Sequence, residues 1–465
     1  MQDDDLYAIW PLRLARGSGP RYRQIADLIE RAVAENRLQP GDRLPPQRGL
    51  AQRLGIDLTT VTRGYNEAGL RGLLDPRGAA GTFISRRAEP AALVLDLGMN
   101  LPPPPLGCDM QELLRRGLAR VMERQDVHVL MTYQLAGGSA AERAAGAQWL
   151  SEAAEPADAE HVLVTPGAQA ALAAVILACG RAGDAIVSEP LVYPGLLAAA
   201  EQLGRRVVVA ETDDEGMTPT GLERACRESG SRLVYLNPTL QNPTTRTLTE
   251  SRRCDLLRAA AACGAQVIED DPYRLFLDAA PPTMASLAPA SVFHISTLAK
   301  CLTPGLRTAY VLAPDLDSRA HVLASMRSFA LMATPLMSAL AAQWIASGAA
   351  QDILDGVRAE AQARQLMARR VLQGAAVMAQ DAPAEGIHQW LSLPAPWTAN
   401  ALARAARDQG LSVASSDAFR AGVDAPNAIR VSLGAEADRA QLEQALGTLA
   451  GLMRSRPQPP RVAVV

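Results

Sequence analysis

Apolar residues recur at helical spacing near the start of the chain. In "PRYRQIADLIERAVAENRLQPGDRLPP", Tyr22, Ile25, Ile29, Ala32 and Val33 fall on one face, and Pro40-Gly41 is placed to end that helix. A short second helix is predicted in "PQRGLAQRLG", closed by Gly55. In "IDLTTVTRGYNEAGLRGLL", Asp57 can cap a third helix, whose Val61, Tyr65 and Ala68 face inward and leave Thr59, Thr60 and Arg63 outward. "LLDPRGAAGTFIS" then reads as two short strands about a glycine-rich turn. Helix, helix-turn-helix and hairpin together predict a small α+β winged helix-turn-helix domain over residues 1–85, its second paired helix set to enter a major groove.

The pattern changes after a short polar stretch, "RRAEPAA", which reads as a linker over residues 86–94. The prolines of "LVLDLGMNLPPPPLGCD" forbid a helix there. Apolar runs such as "HVLVT", "DAIVSEP", "RVVVAET", "RLVYLNP", "AQVIEDDPY" and "VFHISTL" then alternate with Ala- and Leu-rich helical segments. That alternation predicts a mostly parallel sheet covered on both faces, hence a large α/β domain over residues 95–465. Ligand sites in such sheets lie at the carboxyl ends of the strands.

Composition narrows the class. The 465 residues, 48% hydrophobic and 20% charged, suit a globular protein of two or three domains. No run of about 18 apolar residues occurs, so no membrane span is expected. The acidic start "MQDDDLYAIW" lacks the order of a signal peptide. Cys108, Cys179, Cys226, Cys254, Cys263 and Cys301 show no CxxC pairing and no metal-ligand spacing with histidine. Reduced thiols, a cytoplasmic location and no metal are therefore expected. Net charge is −3, but residues 1–90 hold 14 Arg against 11 acids, a balance of +3 that leaves −6 for the rest. A basic head on an acidic body suits nucleic-acid contact by the head.

One residue stands apart. Of 46 basic residues, 45 are arginine; the one lysine is Lys300, in "HISTLAKCLTPGLR". A codon bias could leave a single lysine by chance. Arginine, however, stays protonated and cannot act as an amine nucleophile, whereas lysine can condense with an aldehyde. Nearby strand ends carry other candidates. "TPGAQAALAAVILA" turns through Gly167 into a helix whose first amides, at Ala168 and Gln169, can hold a phosphate. "IEDDPY" sets acids and Tyr273 at a strand end, "TLQNPTT" offers Asn242, and Arg307 follows Lys300 by seven residues. Alone, each is an ordinary turn, loop or surface residue. Together they suit pyridoxal 5′-phosphate, which has an aldehyde, a phosphate, a phenolic oxygen and a pyridine nitrogen to be held.

Two resemblances sharpen this reading. "GDRLPPQRGLAQRLGI…TVTRGYNEAGLRGLL…GAAGTFI" resembles the GntR-type winged helix over about 65 residues. The resemblance implies that Arg43 and Arg48 contact phosphates or bases and that Gly81 lets the wing approach the minor groove. The family's Ser-Arg at the start of the recognition helix is Asp57-Leu58 here, which shifts base readout to Thr59, Thr60 and Arg63.

From about residue 95 to 440, "QNPTT", "EDDPY" and "TLAKCLTPGLRTA" resemble the fold-type I aminotransferases, especially the aminoadipate and kynurenine branch. This implies a smaller C-terminal α+β subdomain from about 95–110 and 345–455. It implies a Lys300 Schiff base with the cofactor, Asp270 on the pyridine nitrogen, and Asn242 and Tyr273 on the phenolic oxygen. Tyr193 stacks on the ring, while Ala168, Gln169, Thr297 and Arg307 hold the phosphate. Tyr133 reaches the cofactor of a partner subunit, which implies a homodimer, and Arg430 binds a substrate or effector carboxylate. The usual serine before the lysine is Ala299, and the glycine of "NPTG" is Thr245. A lost hydroxyl of this kind costs about 1 kcal/mol.

The joined pattern is similar to the MocR-like regulators. It implies a DNA-binding transcriptional regulator that senses a small amino compound or a vitamin B6 form through Lys300. An active aminotransferase with an appended DNA-binding domain stands as the alternative, and transaminase turnover is left open.

Overall fold

The computed structural model describes residue 10 and residues 21–34, 37–39, 41–70, 73–76, 81–84, 95–151, 157–376, 385–422 and 424–457. Contacts divide the chain into two compact units, Met1–Leu93 and Val94–Val465. The expected linker, 86–94, lies outside the described residues, as does the wing turn at 77–80.

The first unit holds α1 (Arg21–Ala34), α2 (Gln47–Leu54), α3 (Leu58–Leu70), β1 (Leu74–Pro76) and β2 (Thr82–Ile84). Ile25 and Ile29 pack with Leu50, Leu54, Val61, Tyr65 and Ala68 into one buried core, and Ala32 is buried as well. α2 stops where Gly55 takes a left-handed conformation, φ +62°. Asp57 starts α3 by accepting from the Thr59 amide at 2.6 Å. The strands pair antiparallel, Leu74 opposite Ile84, and form the wing. Tyr22 departs from its expected inward place. It is only half-buried, and the Arg63 guanidinium lies over its ring at 4.7 Å.

The second unit is built on a seven-stranded sheet. Its strands are β4 (Val162–Thr165), β5 (Ala185–Ser188), β6 (Arg206–Val209), β9 (Leu233–Leu236), β10 (Gln266–Asp270), β11 (Val292–Thr297) and β12 (Ala309–Leu312), in the order 4-12-11-10-9-5-6. All neighbours run parallel except β12, which opposes both β11 and β4. A small hairpin, β7 (Thr212–Asp213) and β8 (Gly216–Met217), stands apart from it. The strand interiors are buried throughout β4, β5, β9 and β11, as expected where helices cover both faces.

A smaller layer collects β13 (His388–Ser392), β16 (Ala428–Ser432) and β15 (Ala414–Ser415) in an antiparallel sheet. Beside it β14 (Leu411–Ser412) pairs in parallel with β3 (Leu95–Asp96), so the start of this unit joins its end. Leu97, Leu402, Leu433 and Leu446 share the core of this layer. No helix among the described residues is long and apolar enough to cross a membrane.

Candidate functional site

Parallel strands bring their carboxyl ends to one edge, and the chain turns there into the distinctive residues. β10 ends at Asp270 and β11 at Thr297, while β4 leads through Pro166 to Gly167 and β9 to Asn237. Lys300 sits in the single turn Leu298–Cys301, started by Thr297, whose hydroxyl accepts from the Ala299 amide at 3.2 Å. The Lys300 Nζ donates to the Asn100 carbonyl at 2.6 Å. Burial, with Arg430 next in effect, lowers its pKa to about 8, and Asp270 opposes the shift. A buried amine of that kind holds a useful neutral fraction near physiological pH.

Around it the groups interlock. Asp270 is buried, which raises its pKa to about 6, while the Tyr235 hydroxyl opposes this by donating at 2.7 Å. Asn237 donates to the Asp270 carbonyl at 2.6 Å and accepts the Asn242 amide at 2.7 Å. The Asn242 side-chain oxygen accepts from Arg430 Nη1 at 2.7 Å. Arg430 also bonds the Gly98 carbonyl and lies over the Phe419 ring at 4.9 Å, while its Nε is buried without a partner among the described residues. Tyr273 accepts from Asn100 Nδ2 at 2.8 Å, and burial raises its pKa. Tyr193 stands in the field of Asp270, Arg307 and Arg430.

The anion-holding end is equally built. The helix Ala168–Ala178 starts at Gly167, φ +98°, with no side-chain cap. The Arg307 guanidinium covers that glycine: a Cβ there would lie 2.9 Å from Nη2. Gln169 turns its side chain to the Gly195 carbonyl at 2.9 Å, so its backbone amide, beside that of Ala168, is what faces the helix start. A Cβ on Gly195 would meet Gln169 Oε1 and the Tyr193 ring, both at 2.2 Å, so a larger residue there would displace both side chains. An uncapped helix start with a guanidinium, a buried amine, a buried carboxylate and a tyrosine–asparagine pair fit pyridoxal 5′-phosphate group by group. Tyr133 is 74% exposed and takes no part in the site this chain builds by itself.

Four residues went unread in the sequence: Tyr235, Asn237, Asn100 and His388. Tyr235 left one signal, a hydroxyl in the middle of an apolar strand, which must find a partner once buried. At the position where the resemblance expects glycine, Thr245 takes φ +63°. A β-branched residue is strained there. Thr245→Gly is expected to raise stability by about 1 kcal/mol, read as a higher denaturation midpoint, with cofactor uptake retained.

Glu269, Asp271 and His294 also converge, their ligand atoms within 4.8 Å of one another. The sequence raised no metal expectation for them. Glu269 is already served by the Met284 and Ala285 amides at 2.8 and 2.9 Å, His294 at 3.0 Å and Arg253 at 3.6 Å. A guanidinium in that place balances the carboxylate charge.

In the first unit, Arg43, Arg48, Thr59 and Arg63 are exposed and Thr60 partly so. The Thr59 hydroxyl bonds the Asp57 carboxylate. Gly81, φ +110°, passes under Arg43, whose Nε would lie 3.0 Å from a Cβ at that position.

The sequence profile "Aminotransferase class I and II" matches residues 94–449. The chain belongs to that family. The profile "Bacterial regulatory proteins, gntR family" matches residues 21–84, so a GntR winged helix precedes the aminotransferase-like body. The HTH-type transcriptional regulator YdeF of Bacillus subtilis is 28% identical over 454 residues, 96% of each chain. The vitamin B6 salvage pathway transcriptional repressor PtsJ of Salmonella typhimurium is 28% identical, covering 89% of this chain and 94% of that one. Among solved structures, LysN, the α-aminoadipate aminotransferase of Thermus thermophilus in complex with N-(5′-phosphopyridoxyl)-L-leucine, superposes with TM-score 0.70. It is 25% identical and covers 77% of this chain and 92% of its own. The cofactor of this aminotransferase-like body is pyridoxal 5′-phosphate.

Proposed function

We propose that this protein is a DNA-binding transcriptional regulator whose aminotransferase-like body senses a small amino compound or a vitamin B6 form at Lys300. The observation that carries this is one buried amine, in a chain otherwise served by arginine, set at the strand ends of a body joined to a winged helix. When bound, pyridoxal 5′-phosphate supplies an aldehyde and an electron-withdrawing ring. Lys300 contributes the amine, Asp270 a carboxylate for the ring nitrogen, and Asn242 and Tyr273 hydrogen bonds for the phenolic oxygen. Arg307, Thr297 and the amides of Ala168 and Gln169 hold the phosphate. Arg430 holds a carboxylate once its bonds to Asn242 and Gly98 yield.

A cavity of about 1030 Å³ reaches Gln241, the neighbour of Asn242. Its walls carry Glu189, Asp213, Asp214, Glu385 and Asp424 against Arg246.

Two further proposals concern assembly and DNA. Met122, Val127, Val129, Met131 and Tyr133 are all more than half exposed, with Leu135 and Leu331 close behind. An apolar surface of this extent, around the tyrosine assigned to a partner's cofactor, supports a homodimer. In the winged helix, Arg43 and Arg48 contact phosphates or bases while Thr59, Thr60 and Arg63 read bases, with Arg48 assigned to a phosphate. Arg48→Ala is expected to weaken binding about equally across sequences and to lower the slope of log K against log salt by about 1. Titration at several salt concentrations measures both.

The deciding experiment is footprinting of DNA upstream of the gene, with and without pyridoxal phosphate and a panel of amino compounds. A protected site whose occupancy responds to cofactor and amine supports the regulator. No protected site, together with repeated turnover in a transamination assay, replaces it with the enzyme.

A further inference from the structure

The chain enters the second unit as a short strap that runs straight into the Lys300 site. β3 pairs with β14, and the Leu97 carbonyl accepts from the Ser432 amide at 2.7 Å, which fixes the strap to the smaller layer. Asp96 Oδ1 accepts from the Gly98 and Met99 amides at 2.8 and 3.0 Å and bends the chain inward. The next two alternate carbonyls take two of the site's cations: Gly98 accepts from Arg430, and Asn100 accepts from Lys300.

The Asn100 side chain goes further. Its Nδ2 donates to the Tyr273 oxygen and lies 3.2 Å from His388 Nδ1. His388 is buried, which with nearby Arg430 pushes its pKa down to about 3, so the imidazole is neutral and its Nδ1 can accept. With Nδ1 as acceptor both amide hydrogens of Asn100 are committed, while its Oδ1 and His388 Nε2 stay buried without a partner among the described residues. A tyrosine oxygen that accepts from Asn100 keeps its own proton for donation, and that proton is left for the ligand side.

We propose that Asn100 is a positioning residue that aims the Tyr273 proton into the site and holds the Gly98 and Asn100 carbonyls against Arg430 and Lys300. A ligand that claims either cation must then loosen the strap, which in sequence follows residues 86–94 and the DNA-binding unit. The inference rests on the functional reading above and names the residue that conveys it.

The test uses full-length protein with pyridoxal phosphate as the probe. Asn100→Asp keeps the shape but accepts where asparagine donates; Asn100→Ala removes the side chain and keeps the carbonyl. Without pyridoxal phosphate both variants are expected to bind the protected DNA as the parent does, since Asn100 lies outside the DNA-binding unit. The Asp variant shifts the visible absorption of the loaded protein. In both, the factor by which pyridoxal phosphate changes DNA affinity falls roughly three- to tenfold. Parent-like spectra and parent-like factors overturn the inference, and so does a loss of cofactor uptake, which makes Asn100 plain structural support. A parent that takes up no pyridoxal phosphate, or whose DNA binding ignores it, overturns the functional reading instead.

Discussion

Lys300→Ala is expected to leave a folded protein that stays colourless with abundant pyridoxal phosphate and whose DNA binding no longer responds to signal. No second lysine can substitute, because the sequence holds none. The stability change is small, on the order of the single hydrogen bond lost at the Asn100 carbonyl, about 1 kcal/mol. The parent adds a pH signature. Burial lowers the Lys300 pKa from 10.5 to about 8, so the amine is protonated and unreactive below that point and neutral above it. The rate of covalent capture, followed by absorbance or by borohydride trapping and mass mapping, should therefore rise with pH and level off just above 8. A rate still climbing at pH 10 means a solvated lysine and defeats the assignment. Lys300→Arg discriminates further, because it keeps the positive charge yet cannot capture an aldehyde.

The second large effect concerns stability. Arg253 is fully buried, and its guanidinium donates to the carbonyls of Leu248 and Pro238 at 3.0 and 3.1 Å, to Pro282 at 3.1 Å and to the Thr239 hydroxyl at 3.0 Å. It also lies 3.6 Å from Glu269, itself buried. Arg253→Met removes every one of these donors and leaves Glu269 short of a compensating charge. The expected loss is about 3–5 kcal/mol, the range for breaking a buried ion pair from one side. Denaturant titration followed by tryptophan fluorescence reads it well, since Trp149, Trp344, Trp390 and Trp397 all belong to the second unit. Arg258→Ala is the control. Its pair with Asp255 is exposed, and such pairs contribute about 0–1 kcal/mol. Equal losses in the two variants would refute the buried-network account.

These two arginines also mark where reading the sequence stops. Nothing in "ESRRCDLLRA" separates Arg253 from its neighbours; only the fold decides which side chain of that helix points inward. Asn100 is a similar case. It meets Tyr273, Lys300 and His388 across 173, 200 and 288 residues of chain, and asparagine is too common to announce such a role. Lys300 could be singled out beforehand because it is the one amine side chain in the sequence, whereas Asp270, Asn242 and Arg307 were proposed through the aminotransferase resemblance of the motifs that hold them. An aldehyde needs an amine, a pyridine nitrogen an acid, and a phosphate a guanidinium or a helix start.

The sequence by itself determined the helix faces of the winged helix, the parallel sheet, and the place of one amine at a strand end. Hydrophobic period, capping residues and residue chemistry are local, and a short window carries them. Only the tertiary structure decided that Arg63 lies over the Tyr22 ring, that Thr245 bears a left-handed backbone, and that the first residues of the second unit close over Lys300 and Arg430. Those outcomes depend on which distant segments come together, and burial sets their energy only after the chain has packed.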